Sequence, residues 1–259
     1  MRICTFASGS RGNCTLVSLN GRNFLIDAGI SMKRICENLS ACSLRPGDLD
    51  GVFITHLHSD HIGGLRMFTK HYSVPVYAPR TAAAHLLMSL SCTPELMHVF
   101  PADSALRIGD VEISSFSTSH DTEESVGYRL VGEKVFALAT DTGTVTDSVL
   151  GGLSGADAVI IESNHDIEML RYGPYPYQLK QRILSPRGHL SNDDCARLAL
   201  TLAERGTKYI VLGHLSRDNN TPAKAFHTVG SALNGREVKL FVAPEAERLS
   251  LELGGGNTW

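Results

Sequence analysis

The most informative segment of this 259-residue chain reads Thr55-His56-Leu57-His58-Ser59-Asp60-His61, which places three histidines and a carboxylate within six residues. It directly follows Gly51–Ile54 (G-V-F-I), a short apolar run that predicts a buried strand. Neutral imidazole binds zinc, iron, manganese or nickel, and a carboxylate adds affinity for harder ions. Because four ligands from so short a segment cannot all reach one ion without strain, we expect two ions, each completed by residues from elsewhere.

Further polar residues recur where predicted apolar strands end. The positions are Asp27, His56, His120, Asp141, Glu162 and His214. Strand ends are where a rigid scaffold meets functional loops, so one edge of the fold is expected to carry the site. His120, Asp141 and His214 are therefore the candidates for the remaining metal ligands, although each taken singly also fits a cap or a turn.

The pattern along the chain predicts alternating strands and helices. We expect strands at 2–7, 14–19, 22–27, 51–54, 76–78, 111–116, 125–131, 134–139, 158–162, 209–212 and 239–242. We expect helices at 31–41, 62–72, 144–153, 191–205 and 222–233, with 171–186 irregular or weakly helical. Ser191 is the expected N-cap of its helix, with Asp194 three residues later as in a capping box. No repeat or linker interrupts the pattern, so residues 1–259 are expected to form one domain.

The composition, with 42% hydrophobic and 20% charged residues, is that of an ordinary globular protein. A formal net charge of −3 gives no overall attraction to nucleic acid, so a polyanion site must be a local patch or a bound metal. None of the six cysteines, Cys92 among them, forms a C-x-x-C pair, which favours reduced thiols. Without an apolar signal core or a run near the ~18 residues of a membrane span, a soluble cytoplasmic chain is expected.

Several longer strings resemble the metallo-β-lactamase superfamily, and within it the YycJ-type branch, also called WalJ or VicX. The superfamily resemblance rests on I-D-A-G (Ile26–Gly29), T-H-L-H-S-D-H (Thr55–His61), His120, A-T-D-T-G (Ala139–Gly143) and L-G-H (Leu212–His214). The closer resemblance rests on A-S-G-S-R-G-N (Ala7–Asn13), E-S-N-H-D (Glu162–Asp166), residues 179–192 and L-G-H-L-S-R-D-N-N (Leu212–Asn220). Together these strings span nearly the whole chain.

The resemblance implies a four-layered αββα sandwich, in which two mixed sheets are flanked by helices and the site lies at one edge. It also implies that His56, His58 and His120 hold a first metal ion and that Asp60, His61 and His214 hold a second. Asp141 would bridge both ions, and Asp27 would orient the histidine loop. Zinc or manganese is the expected metal, with iron as an alternative. Such a pair lowers the pKa of a bridging water toward about 7, so that hydroxide becomes the nucleophile, and Asp60 is catalytic in this sense.

For this branch the resemblance implies a 5′-to-3′ exonuclease that acts on DNA ends, with RNA as an alternative substrate. His189 resembles a histidine of the nucleases that process transfer-RNA ends, where it looks like the group that protonates the leaving oxygen. It is otherwise a polar residue at a helix start. Between Met169 and Asn192 there is no acidic residue, while four cations and three tyrosines could contact nucleic acid. The alternative, without a function in binding, is that this stretch is a solvated loop with packed tyrosines.

Substrate contacts are expected from residues on four loops. They are Ser8, Ser10, Asn13, His165, Arg182, Arg187, Ser216, Arg217 and Asn219. Two other functions remain open. A small-molecule metallo-hydrolase of the lactonase, thioesterase or cyclic phosphodiesterase type would use the same metals. A redox or metal-storage protein is less favoured, because oxygen-reducing relatives typically carry Glu at the position of His58. No sequence feature indicates a particular oligomeric state.

Overall fold

The computed structural model describes residues 1–89 and 94–254. Over those residues the chain forms two seven-stranded mixed sheets. The first sheet has the order β14-β1-β2-β3-β4-β5-β6. Its strands are β1 (Arg2–Ala7), β2 (Cys14–Leu19), β3 (Arg22–Ile26), β4 (Gly51–Phe53), β5 (Val76–Ala78), β6 (Met97–Val99) and β14 (Leu249–Glu252). Strands β14, β1, β2 and β3 pair antiparallel, and β3 to β6 pair parallel.

The second sheet repeats this division into an antiparallel and a parallel half. Its order is β13-β12-β11-β10-β9-β8-β7. The strands are β7 (Ala105–Ile108), β8 (Val111–Ser117), β9 (Val126–Val131), β10 (Val135–Ala139), β11 (Ala158–Glu162), β12 (Tyr209–Gly213) and β13 (Lys239–Val242). Strands β7 to β10 pair antiparallel, and β10 to β13 pair parallel, so the carboxyl ends of β10, β11 and β12 meet at one edge.

Helices cover the outer face of each sheet. They are α1 (Met32–Ala41), α2 (Ser59–Ile62), α3 (Leu65–His71), α4 (Arg80–Ser89), α5 (Asp147–Leu153), α6 (Ile167–Tyr172), α7 (Tyr177–Ile183), α8 (Asn192–Glu204) and α9 (Pro222–Ala232). Leu39 of α1 and Phe68 of α3 pack in one core with Val52 of β4. Leu198 of α8 and Val229 of α9 pack in a second core with Val159 of β11.

A third core lies between the two sheets, and strand alternation explains why. On β3, Phe24 and Ile26 face the other sheet while Leu25 faces the helices. On β11, Ile160 faces the first sheet while Ile161 faces α8 and α9. Because successive side chains of a strand point to opposite faces, apolar residues at consecutive positions bury both faces of each sheet. The result is the expected αββα sandwich.

The largest departure from the predicted elements lies after the histidine cluster. A single helix over 62–72 was expected, whereas the chain forms α2 and α3 with Gly63 and Gly64 between them. A Cβ on Gly64 would lie 1.8 Å from the Ile30 carbonyl oxygen, so close approach of two backbones requires glycine there. Ser59, Asp60 and His61 therefore lie on a short helix rather than on the expected loop.

Other elements were not expected from the sequence. Strands β6, β7 and β14 and helix α4 were missed, and 171–186 contains the regular helix α7. Ser191 caps α8 as predicted, since its Oγ accepts a hydrogen bond from Asp194 N–H at 3.1 Å. Its hydroxyl in turn donates to the Asp194 carboxylate at 2.6 Å, so Asp194 bonds to the Ser191 side chain and not to the backbone N–H as a capping box requires.

The sequence predicted neither a membrane span nor a disulfide framework, and both predictions can be compared with the described residues. In residues 1–89 and 94–254, no helix is both long and apolar enough to cross a membrane. The five cysteines in the same ranges carry free thiols, in line with the absence of a disulfide pattern. Cys92 lies outside the described residues.

Candidate metal centre and active-site cavity

Six strand ends deliver the polar residues of the site to one edge of the sandwich. Asp27 follows β3, Thr55 follows β4, and His120 follows β8. Asp141 and His214 follow β10 and β12, and Glu162 is the last residue of β11. Asp27, Asp141 and His214 have φ values of 61°, 54° and 54°, a left-handed conformation that is uncommon outside glycine. Such backbone conformations concentrate at functional sites because the surrounding fold holds them there.

One cluster consists of three imidazoles. His56 Nε2 lies 3.0 Å from His58 Nδ1, which in turn lies 3.2 Å from His120 Nε2. The far nitrogen of His56 contacts the Thr55 hydroxyl at 3.0 Å, and that of His120 contacts the Gly188 carbonyl oxygen at 3.2 Å. If Nδ1 of His56 and Nδ1 of His120 carry the ring protons, the Nε2 atoms of both rings have free lone pairs that point toward His58 Nδ1.

A second cluster adjoins the first. Asp60 Oδ2 lies 3.5 Å from His61 Nε2 and 3.4 Å from His214 Nε2. Asp141 lies between the clusters, with Oδ2 at 3.2 Å from His61 Nε2 and Oδ1 at 3.6 Å from His120 Nε2. All seven residues predicted as ligands are therefore brought together, and Asp141 has one oxygen near each group.

Asp27 lies behind this arrangement and fixes its orientation. Its carboxylate accepts hydrogen bonds from His61 Nδ1 at 2.8 Å and from the Thr55 backbone N–H at 2.9 Å. The Thr55 hydroxyl donates to the same carboxylate at 3.0 Å. With Nδ1 of His61 bonded to Asp27, Nε2 faces Asp60 and Asp141 and would offer its lone pair to a cation held between them.

The donor set fits divalent cations. Imidazole lone pairs that face one another at 3.0 to 3.2 Å repel unless a proton or a cation lies between them. Asp141 Oδ2 is buried and accepts no hydrogen bond from the described residues, although a buried carboxylate oxygen normally has a partner. Nitrogen and carboxylate ligands in this mixture suit zinc, manganese and iron. The His and Asp clusters are therefore suitable for a metal site.

Glu162 is the residue of the site to which the sequence assigned no role. Its fully buried carboxylate accepts from His189 Nδ1 and His214 Nδ1, both at 2.8 Å, and from the N–H groups of Thr142 and Leu190, both at 3.0 Å. Burial alone would raise the pKa of Glu162, but the charge and hydrogen bonds of the two histidines lower that pKa to about 2. The signals in the sequence were its position at the end of a strand and its place in the string E-S-N-H-D, and neither indicates its partners.

His189 is held beside the candidate metal ligand His214, because both imidazoles contact the Glu162 carboxylate. Burial would lower the pKa of His189, but the Glu162 carboxylate outweighs burial and the net shift of the pKa is upward. Its Nδ1 is committed to Glu162, so Nε2 is the atom left to act on a bound molecule.

A cavity of about 250 Å³ opens over the clusters. Its walls include His189, Asn164 and five candidate ligands, namely His58, Asp60, His120, Asp141 and His214. The segment formed by α6, α7 and their connecting loop, called here the α6–α7 hairpin, lies at one side, where Tyr175, Leu179, Arg182 and Ile183 line the cavity. Of the residues expected to contact substrate, Ser10, Arg182 and Ser216 line this cavity.

The other expected substrate contacts have internal partners or lie elsewhere. Ser8 accepts from His214 N–H at 2.8 Å, and Asn13 contacts Asp60 and His61. Arg187 donates to the backbone carbonyl oxygens of His120 and Thr122. His165 and Asn219 are buried at 1% and 0% exposure and do not line the cavity. Arg217 is exposed, just outside the cavity wall.

Comparison with known proteins agrees with this geometry. The sequence model of the metallo-β-lactamase superfamily matches residues 7–214, which include every predicted metal ligand. The chain belongs to the metallo-β-lactamase superfamily. Exodeoxyribonuclease WalJ of Streptococcus pneumoniae is 40% identical over 231 residues, covering 88% of this chain and 86% of that protein. Exodeoxyribonuclease YycJ of Bacillus anthracis is 38% identical over 237 residues, covering 90% and 89%. The expected YycJ-type relationship is thereby confirmed.

Solved structures of superfamily members confirm the fold. The metallo-β-lactamase fold protein YhfI from Bacillus subtilis superposes with a TM-score of 0.72 at 18% identity, covering 96% of this chain and 99% of that one. Zn(2+)-bound PqqB from Methylobacterium extorquens also gives 0.72, at 17% identity and coverage of 98% and 100%. With its superfamily membership and metal-binding clusters, the chain is a metal-dependent hydrolase.

Proposed function

We propose that the protein is a dinuclear metal-dependent phosphodiesterase that degrades DNA from its ends in the 5′-to-3′ direction. The observation that carries the proposal is the position of His189, which Glu162 holds at 2.8 Å in the same cavity as the metal-binding clusters. A hydrolase of phosphodiesters needs a proton donor for its alkoxide leaving group, and histidine titrates in the appropriate range. The exodeoxyribonuclease relatives, which align over nearly their whole length, support the same substrate class.

In this proposal two ions share the site. His56, His58 and His120 would hold the first, Asp60, His61 and His214 the second, and Asp141 both, with zinc or manganese favoured over iron. When bound, such a pair supplies a hydroxide nucleophile at neutral pH and neutralises charge on the phosphate. The residues of the chain do the rest. Asp27 holds His61 in place, Glu162 holds His214 and His189, and His189 Nε2–H donates its proton to the departing oxygen.

The substrate would enter along the α6–α7 hairpin. Tyr172 and Tyr177 expose 87% and 73% of their surface there and could stack on bases. The Lys180 ammonium donates to the Arg171 carbonyl oxygen at 2.8 Å, which leaves two of its hydrogens for a phosphate, and the exposed Arg171 guanidinium would add a second cation. Arg182 is paired with Asp121 at the cavity mouth and would add a weaker contact. Ser10 and Ser216 would contact the phosphate inside the cavity.

The direct test uses DNA labelled at either the 5′ or the 3′ end, digested by protein reconstituted with Zn²⁺ or Mn²⁺. Immediate release of a 5′-terminal mononucleotide, with slow shortening of the 3′-labelled strand, is the expected result. Asp60→Asn and His61→Ala should abolish release, because the second ion loses its ligands and the nucleophile is no longer formed. First release of the 3′ label would contradict the direction, and full turnover by both variants would contradict the metal mechanism. RNA labelled in the same way tests the alternative nucleic acid.

A small-molecule hydrolase is the second candidate, because a lactone, a thioester or a cyclic nucleotide would use the same metal-binding clusters. The cavity of about 250 Å³ is slightly below the ~300 Å³ at which small-ligand pockets usually begin, so only a small substrate would fit inside it. A lactone, a thioester and a cyclic nucleotide should therefore be assayed beside DNA. Brisk turnover of one of these by a preparation that leaves DNA ends intact would decide for the second candidate.

A further inference from the structure

Asn13 is a buried residue whose side chain contacts the second cluster from behind. It is 6% exposed, immediately precedes β2, and does not line the cavity. Its Nδ2 lies 3.0 Å from His61 Nε2 and 3.3 Å from Asp60 Oδ2. We propose that Asn13 is a positioning residue, whose amide orients the Asp60 carboxylate and the His61 imidazole toward the second metal ion. The inference rests on the proposed two-ion centre.

The orientation of the amide follows from its other partner. The Gly9 backbone N–H donates to Asn13 Oδ1 at 2.9 Å, so that end of the amide must be the oxygen. The –NH₂ group therefore faces Asp60 and His61. A flipped amide would place its oxygen against a carboxylate and an imidazole lone pair, and its nitrogen against an N–H group. Since an amide nitrogen has no free lone pair to offer a cation, Asn13 is a hydrogen-bond donor here and not a ligand.

Four acceptor atoms surround the –NH₂ group of Asn13, which has only two hydrogens to donate. Besides His61 Nε2 and Asp60 Oδ2, the Gly9 carbonyl oxygen lies at 3.2 Å and the Asp60 carbonyl oxygen at 3.4 Å. His61 Nδ1 donates to Asp27, so in the neutral ring Nε2 carries the lone pair that faces the amide at 3.0 Å. If a cation were held by His61 Nε2, the amide would keep its hydrogen bond to Asp60 Oδ2. The same donor would therefore orient the Asp60 carboxylate with or without a bound ion.

Backbone contacts make this position rigid. Asn13 N–H donates to the Asp60 carbonyl oxygen at 2.7 Å, and Gly29 N–H donates to the Asn13 carbonyl oxygen at 2.8 Å. A Cβ on Gly29 would lie 1.7 Å from the Asp60 carbonyl oxygen, so these three segments are packed backbone to backbone. A donor on so fixed a segment loses little entropy when it bonds to Asp60, which is what orientation of a metal ligand requires.

The test is a stepwise Co²⁺ titration of metal-free protein, followed by visible absorption and by elemental analysis. Wild type, Asn13→Ala and Asn13→Ser are compared, with Asp60→Asn to mark the spectrum of the second ion. Loss of a partner that orients a ligand typically weakens metal binding by about 10–100-fold. We expect that loss in Asn13→Ala for the ion whose spectrum Asp60→Asn removes, with the other ion unaffected. Asn13→Ser, which keeps a hydroxyl donor, should lose less.

Asn23→Ala is the matched control, because Asn23 also uses both ends of its amide, to Ser18 and the Asp48 carbonyl oxygen, but far from the site. It should bind both ions as wild type does. Unchanged Co²⁺ binding in Asn13→Ala with a raised KM for DNA would overturn the inference in favour of substrate contact. Equal weakening of both ions, matched by an equal loss in Asn23→Ala, would overturn it in favour of general destabilisation. A wild type that binds only one ion would instead refute the two-ion centre itself.

Discussion

The histidines of the site each use their two ring nitrogens for different purposes. In His61 and His214, Nδ1 contacts a carboxylate at 2.8 Å and Nε2 faces Asp60. His189 has the same Nδ1 contact to Glu162 and forms one group of possible ligands with Asp141, Glu162 and His214, but it is not grouped with Asp60. The contact to Asp60 thus distinguishes the two candidate metal ligands from the proposed proton donor.

Replacing His189 tests that separation. His189→Ala should lower kcat on DNA by about 10²–10⁴-fold, the usual range for a lost general acid. Metal content, measured by elemental analysis, should stay the same. On bis(p-nitrophenyl) phosphate the loss should shrink, since its leaving group departs without a proton. His227→Ala, on the remote helix α9, is the control. An equal loss on both substrates would mean that His189 serves another purpose.

Glu162 offers a second prediction at this scale. Glu162→Gln places an –NH₂ group among four hydrogen-bond donors, so the ring orientations of His189 and His214 should loosen. We expect metal affinity to fall about 10–100-fold, because His214 loses its orienting partner. At saturating metal, the double variant Glu162→Gln/His189→Ala should have the kcat of His189→Ala alone. Multiplied losses in the double variant would show that the two residues act independently.

Some residues of this site could be predicted from the sequence and others could not. The candidate ligands of Thr55–His61 could be predicted from local sequence, because seven neighbouring residues carry the pattern. His120, Asp141 and His214 needed the family resemblance to support their strand-end positions. The role of Glu162 was not readable, since it depends on His189 and His214, which lie 27 and 52 residues away. Asn13 was predicted as a substrate contact, because a Gly- and Ser-rich loop does not reveal which way its side chains turn.

At the level of elements, the α6–α7 hairpin combines exposed aromatic and basic side chains beside the cavity. Tyr177→Ala should weaken single-stranded DNA binding by about 1–3 kcal/mol, the usual range for one stacked base. Lys180→Ala should weaken binding and reduce the slope of log K against log salt by about 0.7, as expected for one lost phosphate contact on a single strand. Fluorescence anisotropy at several salt concentrations measures both effects, with metal withheld to prevent cleavage.

The matched controls for the hairpin lie on other elements. Phe226 of α9 is an exposed aromatic, and Lys239 begins β13 at the opposite end of the second sheet from the site. Phe226→Ala and Lys239→Ala should leave DNA binding and its salt dependence unchanged. Equal losses in hairpin and control variants would show that the hairpin is not the binding surface.

The elements that could be predicted differ in kind from those that could not. Strands β1 to β5 and β8 to β13 have apolar runs between turn residues, so local pattern suffices. Strand β14 (L-S-L-E) is short and half polar, and it forms by pairing with β1 at the other end of the chain. Helix α7 follows a proline-rich stretch, which obscured the helix formers between Tyr177 and Ile183. Such elements depend on tertiary contacts that no local window contains.

At the scale of the whole molecule, the site needs both sheets. Asp27 and the histidine cluster follow strands of the first sheet, whereas His120, Asp141 and His214 follow strands of the second. The core between the sheets holds these strand ends in register. We therefore propose that residues 1–259 form one domain, and that the metal centre forms only when the two sheets are packed together.

Phe53 is the residue on which to test this proposal. It is 1% exposed on β4 of the first sheet, two residues before Thr55, and its ring centroid lies 5.5 Å from that of Tyr128 on the second sheet. Phe53→Ala should lower the free energy of unfolding by about 3–5 kcal/mol, as large cavities in cores usually do. Urea unfolding of the metal-free protein, followed by circular dichroism and by intrinsic tyrosine fluorescence, should remain a single coincident transition in the variant.

The reason for one transition is that the ring of Phe53 also contacts Phe24, Tyr77 and Phe100, so its cavity touches the packing of both sheets at once. If the sheets were separate cooperative units, a change at their contact would shift one transition and leave a second at the wild-type midpoint. Adding Zn²⁺ should then raise the free energy of unfolding of wild type and variant alike, by about 2.7 kcal/mol for each ion bound at a free concentration 100 times its Kd. A common shift is expected because the candidate ligands come from both sheets, so the ions would bind only to one folded unit. If Zn²⁺ shifted the transition seen by circular dichroism but not the one seen by fluorescence, or the reverse, the single unit would be contradicted.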